Sequence, residues 1–316
     1  MKKLLGLALF LLVLYVLLLL ADPGARSALN HFNLGKRIGL YGIISLGAAI
    51  LIISGGIDLS VGSVIGLCAT VMAMLLVDYG WPPLAAIGTV LALGACIGLA
   101  NGLLVTQLRV QAFVVTLCGL FIYRGAARWL SGDQVKGLGA SFPTLKYWLY
   151  ESKDVLGLPM SLVIFSVLAA AAAVFLHLSV YGRYLFAIGS NEAAARYAGI
   201  ATNRYKVLAY VICSTLAAFF GILLLMELNS AQPSETGSFM ELYAIAGAVL
   251  GGCSLRGGEG TVLGVLIGTT ILWMLPNFTK MWGVPSELEY TVVGGALLLG
   301  ALLDELLRRR SAQRRE

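Results

Sequence analysis

Ser54-Gly55-Gly56-Ile57-Asp58-Leu59-Ser60-Val61-Gly62-Ser63 interrupts an apolar stretch that otherwise runs from Ile38 to Val77. Paired glycines and a carboxylate at that depth predict a helix that stops, turns and restarts inside a membrane, since irregular backbone is tolerated there only within protein or beside water. Asp58 is the informative residue, because an intramembrane carboxylate costs a few kcal/mol and usually faces a bundle interior or a solute path. Two roles are open to it: capping the following helix, expected at Leu59–Val77, or contacting solute. Gly56 and Ser60 flank it and share whichever role it has.

Composition supports the membrane. Hydrophobic residues make up 59% of the chain and charged residues 12%, against about 25% charged in a soluble domain. Glycine numbers 38 of 316 residues, as expected where helices pack closely in lipid. The net charge of +6 does not make a nucleic-acid surface, because Lys and Arg gather at ends and loops.

Working outward from the break, the apolar segments are Leu4–Ala21, Ile38–Ile53, Ser60–Val77, Leu84–Val105, Ala112–Leu130, Ser161–Ser179, Val207–Leu228, Leu242–Gly252, Thr261–Leu275 and Tyr290–Leu307. The fold class is therefore all-α and polytopic, about ten transmembrane segments in a single membrane domain over residues 1–316. Lys2-Lys3 before Leu4–Ala21 resembles a signal peptide, but the apolar run is longer than a signal's and reads as an uncleaved first span. About 20 residues are needed to cross, so Ile38–Ile53 and Leu242–Gly252 are expected to be broken or re-entrant. Ser131–Met160, with Gly, Pro and mixed charges, reads as an extracytoplasmic loop. Ten crossings put both termini on one side, and the Lys/Arg bias makes that side cytoplasmic. The basic tail Arg308–Arg315 reads as an anchoring cluster.

A second interruption, Leu250-Gly251-Gly252-Cys253-Ser254-Leu255-Arg256-Gly257-Gly258-Glu259-Gly260, shares the skeleton Gly-Gly-x-x-Leu-x-x-Gly with the first. Paired Gly-interrupted segments point to a central site between internal repeats, with Gly251 and Gly252 on the pathway. An inverted repeat would put the two breaks on opposite sides, whereas the ten-span topology places both on the cytoplasmic side.

Gly189-Ser190-Asn191-Glu192-Ala193-Ala194-Ala195-Arg196-Tyr197-Ala198-Gly199-Ile200 is a short water-compatible helix within the segment 181–206. Asn191 suits the N-cap, Glu192 the positive end of the dipole and Gly199 the left-handed C-terminal turn. Two turns are too few to persist alone. Ala194 and Ala198 share one face without bulk, fit for docking under another protein; a plain surface connector is the other possibility. On the opposite side, Asn229, Ser230 and Gln232 either hydrogen-bond a polyhydroxylated solute or are ordinary helix-end polar residues. Asn101, a lone amide late in the fourth span, is open in the same way.

The five cysteines stand singly, without the spacing of a disulfide or zinc framework. His31 and His177 are each isolated, so no metal site is expected, and no cofactor. The only Gly-Lys, Gly35-Lys36, is followed by Arg37, so the chain lacks a phosphate-cradling G-x-x-x-x-G-K-[ST] loop and does not hydrolyse ATP itself.

Together, Ser54–Ser63, Gly189–Ile200 and Ser230–Gly264 resemble, in order and spacing, the permease subunits of bacterial ribose/xylose/galactoside-type ABC importers, over about Leu40 to Leu303. Gly56, Asp58, Leu59, Ser60, Val61 and Gly62 look like that family's Gly-Ile-Asp-Leu-Ser-Val-Gly element. Asn191, Glu192, Ala194, Ala195, Ala198 and Gly199, after Gly189, look like its coupling helix. Ser230, Ala231, Gln232 and Pro233 resemble its Ser-Ala-Gln-Pro, and Gly251, Gly252, Ser254, Leu255, Gly257, Gly258 and Gly260 its later Gly-rich loop. Departures are Tyr243 in place of Asp, Cys253 in place of Thr and Pro276-Asn277-Phe278 in place of Asn-Gly-Leu, and they bear on the solute more than on the architecture. The resemblance implies a bacterial inner-membrane permease, dimeric with itself or a second permease. It implies a cytoplasmic ABC ATPase gripping residues 189–199, and a periplasmic or lipoprotein solute-binding protein docking outside. Expected rivals are the branched-chain amino-acid type, an ion-coupled secondary transporter and a membrane-embedded enzyme. The secondary transporter is disfavoured because only Asp58 is placed to carry a coupling ion. The enzyme is disfavoured because no catalytic set converges.

Overall fold

The computed structural model describes residues 2–21, 23–152 and 157–283, with isolated positions as far as 298. The chain begins with α1 (Lys2–Ala21) and, after a short turn, α2 (Ala28–Ile53), whose first turn is closed by Ser27 accepting the Asn30 N–H at 3.1 Å. The Ser54–Ser60 break leads into α3 (Val61–Val77), followed by α4 (Pro83–Thr106) and α5 (Ala112–Ser131). The segment from 132 to 159 holds the two-residue strand β1 (Lys136–Gly137) and the one-turn α6 (Pro143–Lys146). Next come α7 (Met160–Ala173), continued by a wider turn to Leu178, then α8 (Val180–Ser190) and the six-residue α9 (Glu192–Tyr197). The chain then forms α10 (Thr202–Leu228), strand β2 (Ser230–Ala231), α11 (Met240–Leu250) and α12 (Val262–Met281). β1 and β2 pair antiparallel, Lys136 opposite Ala231 and Gly137 opposite Ser230.

Six helices among the described residues are long and apolar enough to cross a membrane: Ala28–Ile53, Pro83–Thr106, Ala112–Ser131, Met160–Leu178, Thr202–Leu228 and Val262–Met281. Leu4–Leu20, Val61–Val77 and Met240–Leu250 are apolar but shorter. These nine helices fall on nine of the ten expected segments. The tenth, Tyr290–Leu307, lies almost wholly outside the described residues, and so does the tail Arg308–Arg315.

One expectation is overturned. Ile38–Ile53 is not a short or re-entrant piece but the second half of the 26-residue α2. Counting apolar residues ended the segment too early, because the helix runs on through Asn30, Asn33, Lys36 and Arg37. The Lys36 ammonium lies over the Tyr150 ring, 3.9 Å from its centroid, so protein receives that head, while the exposed Arg37 reaches over Trp273 at 5.9 Å. Likewise α12 continues past Leu275 with Pro276 inside it.

The bundle is built around α2. In its most apolar window 78% of residues are buried, against 22% for α5 and 28% for α4, so α2 is central and the other two present faces to lipid. Lipid gives no hydrophobic drive for helices to meet, and close packing has to supply it. On α4, Gly94, Gly98 and Gly102 form a smooth stripe against α10: a methyl at Gly98 would sit 2.5 Å from the Tyr210 carbonyl, and one at Gly102 2.9 Å from Val207 Cα. Elsewhere a side-chain bond ties α1 to α2, with the Tyr15 hydroxyl 2.8 Å from His31 Nε2.

Candidate functional site

The short helix α9 is built much as its residues suggest. Asn191 has extended backbone and its Oδ1 accepts the Ala194 N–H at 3.0 Å, while Gly199 turns the chain at φ +83°. Glu192 is held from two sides, by Arg196 one turn on (3.1 Å) and by Lys206 of α10 (2.5 Å). Partial burial pulls the Glu192 carboxyl up, but Lys206 and Arg196 outweigh it and hold it below the usual carboxylate range. Ala195 is buried against the bundle, whereas Ala194 and Ala198 are exposed and Tyr197 is 93% exposed. The helix therefore shows the outside a smooth alanine face beside one projecting aromatic ring.

Behind α9, three stretches far apart in sequence meet backbone to backbone. The Gly258 N–H donates to the carbonyl of Ile53, the last residue of α2, at 2.9 Å. Gly189, at the end of α8, lies between them. A methyl there would collide with the Ile53 oxygen and the Gly258 nitrogen, and one at Gly257 would come within 2.9 Å of both Gly189 Cα and Gly55 Cα. The two glycine-rich breaks thus lie side by side at the α9 end of the bundle. They do not sit at opposite mouths, so an inverted repeat placing a central site between them is not what this chain has. Gly251 packs against the backbone of Gly264 and Val265, and Gly252 turns the chain at φ +88° beside Leu7. Gly251 thus serves the tight approach of α11 to α12.

Asp58 lies just inside this junction and is buried, 3% exposed. Its Oδ1 accepts the Ser60 N–H (2.7 Å) and the Ser60 hydroxyl (2.6 Å). The Asn101 amide donates to Ser60 Oγ (3.1 Å), and the Tyr123 hydroxyl donates to Asn101 Oδ1 (2.7 Å). Three sequence candidates, Asp58, Ser60 and Asn101, are therefore one hydrogen-bonded network joining the break before α3 to α4 and α5. Helix α3 begins at Val61, two residues later than expected, so Asp58 fixes the turn before the helix instead of capping its first N–H groups. Asp58 Oδ2 has no hydrogen-bond partner. It borders a cavity of about 10 Å³ shared with Cys213 of α10 and Glu241 of α11, room for about one water.

Two charged residues near this network escaped the sequence reading. Arg124 of α5 reaches inward, and its Nη1 donates to the carbonyls of Thr236 (2.6 Å) and Pro233 (3.2 Å). The irregular stretch 232–239 is thereby pinned deep along α3, where Gly62 and Gly66, one turn apart, leave room for it: a methyl at Gly62 would strike the Gly237 carbonyl and the Glu241 carboxylate. An arginine inside an apolar helix four residues before a second one, Arg128, was the available signal.

The profile of the family described as "Branched-chain amino acid transport system / permease component" matches residues 30–302. The chain belongs to this permease family. Its similarity to curated permeases is broad. The ribose import permease protein RbsC of Escherichia coli is 38% identical over 295 residues, 93% of this chain and 91% of that one. RbsC of Bacillus subtilis is 36% identical over 299 residues, 94% and 91% of the two chains. The autoinducer 2 import system permease protein LsrC of an Enterobacter species is 39% identical over 268 residues, 84% and 76%. No solved structure matches the chain.

The permease is an all-helical, multi-pass membrane subunit of an ABC importer, a class in which ATP is hydrolysed by a separate subunit. Its remaining candidates lie at the end away from α9. Ser230 belongs to the β1–β2 pair, with its hydroxyl directed to the Leu228 carbonyl (3.4 Å). Gln232 is exposed, and its backbone N–H donates to Thr236 Oγ1 (2.8 Å). Ser230 lies just past the end of α10, whereas Gln232 is tied through Thr236 to the stretch that Arg124 pins beside the Asp58 network.

Proposed function

We propose that this permease forms the membrane pathway for a monosaccharide or similar polyhydroxylated solute. A cytoplasmic ATPase drives it by pressing on α9, a solute-binding protein delivers cargo at the opposite end, and a second permease completes the pore. The termini lie in the cytoplasm of a bacterial cell. The observation that carries this reading is the backbone contact of Gly189 with Ile53 and Gly258. A push on α9 reaches α8 through the single joint at Asn191, and Gly189 has no side chain to yield. The displacement passes to the end of α2 and to the loop between α11 and α12 together. Asp58 lies beside the end of α2, and Glu241 at the start of α11 borders the same small cavity, so the junction shifts the buried polar network while the helices move as rigid bodies. The relatives named as ribose import permeases support a sugar as cargo.

Uptake by the assembled transporter, with D-ribose compared against leucine, tests the reading. Ribose uptake that depends on ATP and on the binding protein is the expected result. Leucine uptake, or transport by the purified chain alone under an ion gradient, would replace the sugar reading with one of its rivals.

A further inference from the structure

The stretch between β2 and α11 descends into the bundle without being a helix. Thr236 crosses α3 at Gly66, where a methyl would sit 2.5 Å from its carbonyl oxygen, and Gly237 crosses at Gly62. At a rise of about 1.5 Å per residue, Gly66 lies about 16 Å inside the end of α3 at Val77. That end is marked by the exposed Tyr79 and Trp81, residues of a membrane interface. By the same rise of about 1.5 Å, Arg124 lies about 10 Å inside the end of α5 at Ser131, and its guanidinium reaches the carbonyls of Pro233 and Thr236. Two neighbouring helices thus place residues 233–237 well within a hydrocarbon layer of about 30 Å.

The backbone of this stretch closes on its own turns, the Thr236 N–H donating to the Gln232 carbonyl at 2.8 Å and the Ser238 N–H to that of Glu235 at 2.9 Å. Its side chains stay open. Gln232 and Glu235 are exposed, and Phe239, at the start of α11, is 58% exposed. At the same depth on α5 the exposed side chains are Phe121 (68%) and Ile122 (64%), which lipid covers without cost. Glu235 is different. A charged side chain inside a membrane faces a bundle interior or a water-filled cavity, and irregular backbone at that depth obeys the same limit. Glu235 is not in the interior of this chain, so it faces water, and water at that depth belongs to a path across the membrane.

We infer that the exposed face of residues 232–239, centred on Glu235 and Phe239, is one wall of the solute path, and that the same face of a second copy of this chain is the opposite wall. One chain alone leaves the face open to lipid. A second copy related by a two-fold axis brings the same polar stretch to meet it, whereas a partner surface like that of Phe121 and Ile122 would set hydrocarbon against the Glu235 carboxylate. The inference rests on the pore-forming reading and adds which face of the chain lines the pore.

The test uses the assembled transporter in proteoliposomes, carrying Glu235→Cys, Phe239→Cys or, as a lipid-facing control, Phe121→Cys. Labelling by a charged, membrane-impermeant methanethiosulfonate is measured with and without ATP, above the background of the parent's exposed Cys96 and Cys118. Positions 235 and 239 should react at least tenfold faster than 121. Their modification should stop ATP-driven ribose uptake, while a lipid-permeable maleimide at 121 leaves uptake unchanged. A short bis-maleimide should join two copies of the permease through 235 and not through 121. If either wall variant fails to assemble, Gln232→Cys on the same face takes its place. Equal reactivity at 235 and 121, or full uptake after complete modification of the wall positions, overturns the path. Reactive wall positions that join no second copy overturn the second wall. Each of these results leaves the sugar-importer reading standing. Fast labelling and joined copies in a parent transporter that takes up no ribose would uphold the wall and overturn the sugar reading.

Discussion

The backbone N–H of Gly258 donates to the carbonyl of Ile53 across 2.9 Å, joining the loop after α11 to the end of α2, with Gly189 wedged against both. Neither partner is near the other in sequence, and no side chain intervenes. A junction made of backbone alone cannot absorb movement by rotamer change.

Gly189→Ala should therefore damage the protein more than its size suggests. The added methyl meets main-chain atoms, and overpacking of this kind costs about 1–3 kcal/mol. A lower melting temperature and loss of ATP-driven uptake are expected. Gly199→Ala is the comparison: it has open space around it but φ +83°, so it should cost about 1–2 kcal/mol, confined to α9. Equal behaviour of the two variants would remove the special role of the junction.

At Asp58 the carboxylate accepts two bonds from Ser60 through one oxygen. Asp58→Asn keeps that acceptor and should fold with a near-parental melting temperature. Asp58→Ala leaves the buried Ser60 N–H and hydroxyl without it and should lose about 1–3 kcal/mol. Thermal unfolding of both variants decides the matter, and an Asn variant as unstable as the Ala variant would show that the charge itself is required.

Much of this architecture was legible in the chain, for physical reasons that differ by element. The caps of α9 depend on Asn191, Glu192 and Gly199 within one short segment, so local chemistry is enough to place them. The break at Ser54–Ser60 also announces itself, because nothing else puts two glycines and an aspartate in an apolar run. What stayed hidden depends on long-range partners. Lys36 and Arg37 look like the end of a span until Tyr150 and Trp273 are seen beside them. Arg124 looks like a membrane-edge cation until the carbonyls of Pro233 and Thr236, more than 100 residues away, are seen to receive it. The meeting of Gly55, Gly189 and Gly257 leaves no mark in any one segment, since each glycine reads as an ordinary turn.

Arg124→Met should release the stretch 232–239. Two buried carbonyls lose a charged donor, worth about 1.5–3 kcal/mol for a charge-assisted bond. Hydrogen exchange at the amides of 232–239 should accelerate, while exchange in the middle of α2 stays slow. Unchanged protection of that stretch would show that its fit against Gly62 and Gly66 suffices without the arginine.

The ion pairs of Glu192 give a dependence on pH whose sign is fixed. Its carboxyl lies below the value of 4.5 for a free glutamate, so its contribution is fully present above 4.5 and is lost as pH falls through the depressed folded value. A half-exposed pair of this kind is worth about 1 kcal/mol or less. Protection factors in residues 192–206, taken relative to the intrinsic exchange rate at each pH, should fall below pH 4.5 in the parent protein. In Glu192→Gln the protection factors should be low already at neutral pH and should not fall further in acid.

Photocrosslinking tests most directly whether α9 is the handle by which the motor moves the permease. Benzoylphenylalanine placed at Tyr197, 93% exposed on α9, and separately at Trp148, 57% exposed toward the other end, would be irradiated in the assembled transporter. Crosslinks to the ATPase from position 197 and none from 148 are expected. Crosslinks to the ATPase from 148, with 197 joined only to the solute-binding protein or to nothing, would contradict the proposed arrangement.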